Sequence, residues 1–231
     1  MIFADYHTHT IMSHGKCTPR EVAEAAIGAG LSCVAISEHA PSMSYGLSAS
    51  RFCELKREIA LLNREYAGKI KVLFGVEANF IGNGMLDIPE GIDFDLVTAG
   101  YHRSIPLKNA FAVSAFVQSF TPFSSVAKNT DEIIKTLRNY PQVRILAHPN
   151  EYIPLDIKRI ATECAKLGIL MEINNKHVSM SVEDLHISAE CGAKFVIGSD
   201  GHTAAQMCRF EAATARAKAA GVLDLVENAR I

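Results

Sequence analysis

The chain has 231 residues, 48% of them hydrophobic, and a formal net charge of −2. That length suits one large α/β domain or two small ones around a sizeable core, and the charge balance supplies no basic field for tracking long nucleic acid. No apolar run approaches the ~20 residues that span a bilayer, and Met1 to Asp5 offers no basic stretch ahead of an apolar one. A cytoplasmic protein without a membrane partner is therefore expected. Six cysteines (17, 33, 53, 164, 191 and 208) are scattered without a CxxC pair, which suits reduced, mostly buried thiols. Cys17, in a polar loop beside His14, reads as a spectator, because thiolate ligands usually come in clusters.

Short apolar runs alternate with amphipathic ones from end to end. Residues 2–7 read as a first strand, and 19–30 as a helix capped by Thr18, opened by Pro19 and stopped by Gly30. Residues 33–37 form a second strand that ends in Glu38-His39. A helix over 50–67 closes at Gly68, and a third strand over 72–76 ends in Glu77. A fourth strand over 96–100 ends in Tyr101-His102. A helix over 130–140 is expected to be capped by Thr130 or Asp131. Strand five, over 143–147, ends in His148-Pro149. Then come a helix over 156–167 closed by Gly168, a sixth strand over 169–174, and a helix over 182–191 closed by Gly192. A seventh strand over 194–198 ends in Ser199-Asp200-Gly201-His202, and residues 204–220 read as a last helix.

Seven strands joined by crossover segments indicate a parallel sheet, and no linker divides the chain. A barrel and an open doubly wound sheet both fit the element order. The polar residues favour the barrel: His7, His9, His39, Glu77, His102, His148, Asp200 and His202 all lie at or just past the C-terminal end of a strand. A βα barrel builds its active site there from several strands at once, whereas an open sheet gathers ligands mainly at one crevice.

His7 and His9 share a strand face and can grip one divalent cation. Asp5, one step deeper on that face, is expected to accept a ring N–H from behind. Seven of the nine histidines (7, 9, 14, 39, 102, 148 and 202) fall on this rim or its loops. His186 sits inside a predicted helix and reads as a surface or structural residue. His177 follows strand six and either lines the pocket or is structural. Nine candidate ligands exceed what one ion takes and suit two or three. Three divalent cations carry +6 against −2 from Glu77 and Asp200, an excess that calls for an anionic substrate such as a phosphate ester.

The motifs His7-x-His9, Ser37-Glu38-His39, Gly75-Val76-Glu77, His102-Arg103, His148-Pro149 and Gly198-Ser199-Asp200-Gly201-His202, in this order, resemble the PHP superfamily, named for polymerase and histidinol phosphatase. The stand-alone phosphatase-like branch is the nearest in pattern. The resemblance covers nearly the whole chain. It implies an α/β fold, a distorted seven-stranded (βα)7 barrel in a single metal-dependent hydrolase domain over 1–231. It also implies three divalent metal ions, zinc first, with iron or manganese as alternatives. His7, His9, Glu77 and Asp200 would hold the first ion. Glu77 would bridge to a second held by His102 and His148. His14, His39 and His202 would hold the third. Glu38 stands where many relatives have Asp, a change behind the ligands rather than among them.

The activity so implied is hydrolysis of a phosphate monoester of a small molecule by a metal-activated hydroxide. Asp200, His202 and Arg103 are expected to act on the reacting group, and Arg103, Asn174, Lys176 and His177 to bind the substrate. For Arg103 the competing reading is a rim salt bridge, and for Lys176 a solvated lysine. Two other functions compete: a phosphodiesterase or nuclease for nucleotides or short oligonucleotides, and a non-catalytic metal-binding module. Residues 104–129, with Phe111, Phe116, Phe120 and Phe123, read either as an active-site lid or apolar partner surface, or as a helix filling the barrel wall. The sequence leaves the oligomeric state open.

Overall fold

The computed structural model describes residues 1–103, 105, 110–118 and 125–230. Eight strands are described: β1 (Ala4–Thr8), β2 (Cys33–His39), β3 (Lys71–Gly82), β4 (Met85–Leu86), β5 (Leu96–Gly100), β6 (Val143–Leu146), β7 (Leu170–Asn174) and β8 (Phe195–Gly198). Seven of them run parallel in the order β1-β2-β3-β5-β6-β7-β8. A parallel bridge between Thr8 and Gly201, with the His9 amide donating to the Gly201 carbonyl at 2.9 Å, nearly closes the ring from β8 back to β1. The helices α1 (Pro19–Gly28), α2 (Ala49–Glu65), α3 (Ala110–Gln118), α4 (Val126–Asn139), α5 (Ile157–Leu167), α6 (Val182–Glu190) and α7 (Glu211–Ala219) complete the expected (βα)7 barrel.

Local chemistry sets most helix ends. Thr18 and Glu21 form a reciprocal capping box with Pro19 in the first turn of α1. Asp156 caps α5, and Gly168 ends it in the left-handed conformation at φ 67°. Three expectations need correction. α4 starts one turn early, at Val126, and Thr130 lies inside it. The Thr130 hydroxyl donates to the Val126 carbonyl at 2.7 Å and accepts the Asp156 amide at 2.9 Å, so it ties α4 to the start of α5 instead of capping. The last helix begins only at Glu211; residues before it form turns in which the Gln206 side chain accepts the His202 amide at 3.1 Å. β3 runs on to Gly82 and folds back on β4 through Asn83 and Gly84, at φ 59° and 74°, an Asn-Gly hairpin signal in the sequence.

Two apolar layers organise the molecule. The larger lies between the sheet and its helices, through residues such as Phe52, Phe80, Ile133 and Ile160. The smaller fills the barrel: Ala35, Leu96, Ile145 and Val196, with Tyr6, Leu73 and Leu170 against them. Each of the seven parallel strands contributes one residue to this plug. Side chains alternate along a strand, so successive inward positions above the plug are Ser37 and His39 on β2, Gly75 and Glu77 on β3, Thr98 and Gly100 on β5, and Glu172 and Asn174 on β7. The apolar floor thus leads, two residues at a time, to a polar bowl at the C-terminal ends of the strands.

The segment after His102 is described in part. α3 packs Phe111 and the buried Ala115 on the core and leaves Val113 and Val117 exposed. Phe120 and Phe123 lie outside the described residues. Of the cysteines, Cys17 and Cys164 are buried, Cys53 is exposed and the other three are half-buried, so the thiols are less uniformly buried than expected. Among the described residues no helix is long and apolar enough to cross a membrane.

Candidate metal centre

Glu77, at the top of β3 and 1% exposed, occupies the centre of the bowl. Its Oε1 lies 2.9 Å from His148 Nε2 and 3.2 Å from His102 Nε2. Its Oε2 lies 3.3 Å from His7 Nε2, 3.4 Å from His9 Nε2 and 3.0 Å from His39 Nδ1. One carboxylate therefore faces two groups of imidazoles, one with each oxygen. Asp200 sits opposite, its Oδ1 3.5 Å from His9 Nε2 and 3.4 Å from His202 Nδ1. His14 joins from the loop after β1, its ring centroid 4.2 Å from that of His202 and 4.1 Å from that of Tyr45. All nine expected ligands converge. His186 is exposed beside Glu190.

The backbone bends sharply to present two of these groups. His148 and Asp200 adopt left-handed conformations at φ 27° and 49°, which cost non-glycine residues of order 1–3 kcal/mol and cluster at functional sites. Gly100 gives the bowl its room: a Cβ there would lie 3.0 Å from the His148 ring, 3.1 Å from Glu77 Oε1 and 3.2 Å from the His102 ring.

Three rings are held by their Nδ1 edges. His7 Nδ1 is 2.8 Å from Glu172 Oε1, His102 Nδ1 is 2.7 Å from Asn79 Oδ1, and His202 Nδ1 is 2.8 Å from the Asp200 carbonyl. An acceptor at Nδ1 puts a proton there, so that each ring, when neutral, turns its Nε2 lone pair to the bowl, the arrangement a metal-binding imidazole needs. Among the described residues His7 Nε2, both nitrogens of His9, His14 Nδ1, His39 Nδ1, Glu77 Oε2 and His202 Nε2 are buried without a hydrogen bond. Leaving such atoms unsatisfied costs about 1–3 kcal/mol apiece. Divalent cations would satisfy them together, and three sets are close enough to hold one: His7, His9 and Asp200; His9, His39 and His202; His39, Glu77 and His102. The donor set fits metal ions.

Electrostatics prepare the same chemistry. Burial, reinforced by His39 and His202, holds His9 well below the usual histidine range. Burial likewise brings His14 to about 3 and His202 to about 4. These rings are neutral near pH 7 and have no proton to lose before ligating. For Glu77, burial favours the neutral acid, but His102, His7 and His39 outweigh it and hold the carboxyl well below its ordinary value. Burial also opposes ionisation of Asp200; His7 and His177 prevail there, and its carboxyl stays depressed.

One expected supporting contact is wrong. Asp5 accepts no ring proton; its Oδ1 takes the backbone amides of Ser199 at 3.1 Å and His7 at 3.3 Å. The cause is a bulge: β1 carries one residue more than β2 between Asp5 and Thr8, so alternation does not carry Asp5 onto the histidine face. Glu172 takes that place. It also accepts the His148 amide at 3.0 Å and the Asn174 amide group at 2.9 Å through Oε2. A lone carboxylate inside the apolar strand 169–174, in step with Asn174, was the signal for it. Glu38 works from behind as expected, accepting the Thr10 amide at 2.8 Å and the hydroxyls of Thr10 and Ser13.

Of the four expected substrate contacts, Lys176, His177 and Arg103 reach the surface beside the bowl, whereas Asn174 is buried with its polar atoms already bonded. Lys176 Nζ is 3.5 Å from Asp200 Oδ1 and 3.2 Å from His202 Nδ1. His177 spans from Glu151 Oε1 at 2.9 Å to Asp200 Oδ2 at 3.3 Å. Arg103 lies exposed with its guanidinium 4.9 Å over the Tyr152 ring. Asn174 faces inward: its amide group donates to Glu172 and, at 3.3 Å, to Asp200, while its oxygen accepts the amides of Lys176 and His177. Its bonds organise the loop that carries the two cations.

Comparison with known proteins gives a consistent picture. A family model described as "PHP domain" matches residues 5–199. A probable phosphatase of Thermoanaerobacter sp. (strain X514) is 34% identical over 238 residues, spanning 97% of this chain and 89% of the relative. A probable phosphatase of Shewanella oneidensis is 30% identical over 239 residues, spanning 96% and 83%. Among solved structures, histidinol phosphate phosphatase from Lactococcus lactis, complexed with zinc, L-histidinol and phosphate, superposes with a TM-score of 0.65 at 20% identity. That match covers 94% of this chain and 91% of the other.

Proposed function

The chain belongs to the PHP domain family, and from that membership and the ligand-lined bowl we propose that it is a metal-dependent phosphatase acting on phosphate monoesters of small molecules. The observation that carries the reading is the set of buried imidazole and carboxylate atoms without hydrogen-bond partners around Glu77. In this reading three divalent ions, zinc first, bind in the bowl. His7, His9, Glu77 and Asp200 hold one, Glu77 with His102 and His148 a second, and His14, His39 and His202 a third. Such ions, when bound, lower the pKa of water toward neutrality and polarise phosphoryl oxygens.

The chain's own groups do the rest. Glu77 directs one oxygen to each half of the bowl and keeps both halves in register. Asp200 and His202 face the reacting group from the β8 side. Lys176 and Arg103 supply positive charge at the opening, where phosphate oxygens would be held in the transition state. His177, with one ring nitrogen on Glu151 and the other on Asp200, anchors the Asp200 carboxylate beside that opening. Site charge also favours an anion: three ions would carry +6, against −3 from Glu77, Asp200 and the nearby Glu172.

The test compares p-nitrophenyl phosphate with its bis-ester on metal-replete protein, after elemental analysis, with a chelated control. Release from the monoester at least ~10-fold faster, lost on chelation and restored by zinc, is expected. Preference for the bis-ester would make the protein a phosphodiesterase. Inactivity on both with full metal loading would leave a metal-binding module. A metabolite panel then seeks the substrate, with histidinol phosphate one member, since the Lactococcus lactis structure holds histidinol and phosphate.

A further inference from the structure

We propose that Asp87, through Asn79, sets the ligating tautomer of His102, so that a carboxylate from the β3–β4 hairpin controls a metal ligand it does not touch. This rests on the metal-binding reading of the bowl. Asn79 lies on β3 one inward step beyond Glu77 and is fully buried. Its Oδ1 is 2.7 Å from His102 Nδ1. A side-chain amide can be turned end for end at almost no steric cost, and only its bonds decide which end faces the ring. With oxygen toward His102, the ring must carry its proton on Nδ1, and the Nε2 lone pair faces the bowl. With NH2 toward His102, the ring must accept at Nδ1, and the proton moves to Nε2, where it blocks ligation.

Asp87 removes that ambiguity. Its Oδ2 is 2.7 Å from Asn79 Nδ2, and its Oδ1 accepts the Asn79 backbone amide at 2.6 Å. A carboxylate accepts and cannot donate. Turning Asn79 over would set its carbonyl against a carboxylate oxygen, so the NH2 is held toward Asp87 and the oxygen toward His102. Asp87 Oδ2 also accepts the Ser42 amide at 2.9 Å, which links the hairpin to the loop after β2. That link is the purely structural alternative for the residue.

The experiment reads the His102 tautomer by 15N NMR in full-length, histidine-labelled, metal-free protein, then measures zinc affinity by chelator competition. Wild type is expected to keep a proton on His102 Nδ1, facing Asn79 Oδ1, whatever Nε2, 3.2 Å from Glu77 Oε1, carries in the metal-free protein. Asp87→Asn supplies a donor that tolerates the turned amide. It should mix the tautomers and weaken zinc binding by about 10–100-fold. The exchange N79D/D87N puts the carboxylate beside His102 and a donor behind it. It should restore the wild-type tautomer and most of the affinity. Asn79→Ala keeps Asp87 bonded to Ser42 and to the backbone of residue 79 and cuts only the link to His102, so it should behave like D87N. A His102 tautomer unchanged in D87N and N79A, or a double variant no better than D87N, overturns the proposal. Wild-type protein that takes up no metal would overturn the proposed function, while the tautomer comparison still decides the role of Asp87.

Discussion

Glu172 is 1% exposed, yet it holds the ring of one candidate ligand and the backbone of another. For His7, burial disfavours the charged ring, but Glu172, then Glu77 and Asp200, outweigh it and raise the ring well above its ordinary range. Glu172→Gln keeps the shape and removes the charge. Zinc affinity should fall about 10–100-fold with the fold intact, because partners behind ligands typically carry that much. Chelator competition alongside circular dichroism checks this; affinity unchanged within twofold would mean that His7 needs no carboxylate.

Between elements, the same carboxylate depends on a glycine. β7 and β8 pair with Asn174 opposite Gly198, and a Cβ on Gly198 would fall 2.2 Å from Glu172 Oε1 and 3.1 Å from the Cβ of His7. Gly198→Ala must push Glu172 off His7. The loss of zinc affinity should match that of Glu172→Gln, and the double variant should lose little more than either alone, because both break one contact. Additive losses would show that Gly198 acts through another path. Element by element, caps and glycines mark α1 and α5 in the sequence, while α4 and α7 begin where no local signal places them. Thr130 looks like a cap in isolation, and only the neighbouring Asp156 amide explains why its hydroxyl is spent inside the helix.

At the scale of the whole molecule, the barrel concentrates imidazoles, and burial makes His9, His14, His39 and His202 refuse protons. His202, mainly through burial, titrates at about 4 in the fold, against about 6.5 in an unfolded chain. The sign follows from linkage: below pH 6.5 the unfolded state takes up a proton that the native site refuses, so this residue's contribution falls as pH drops from 6.5 to about 4 and is level outside that window. In chelated protein, the melting temperature of wild type should therefore decline relative to His202→Asn across that window. Thermal melts of both proteins from pH 7.5 to 4 give the comparison, and parallel curves would refute it.

What the chain carries locally is its alternation of strands and helices, and a histidine or acid at nearly every strand's end. Those features depend on residue type and spacing, so the parallel barrel and the nine residues that converge on the bowl were legible in one dimension. What only the folded arrangement decided is who stands behind the ligands. The bulge in β1 took Asp5 away from the histidine face, Glu172 reached His7 across 165 residues of sequence, and Asp87 reached Asn79 by way of a hairpin. Such contacts are set by register and closure between distant strands, and a hydrogen bond leaves no periodic trace in sequence when its two ends share no local pattern.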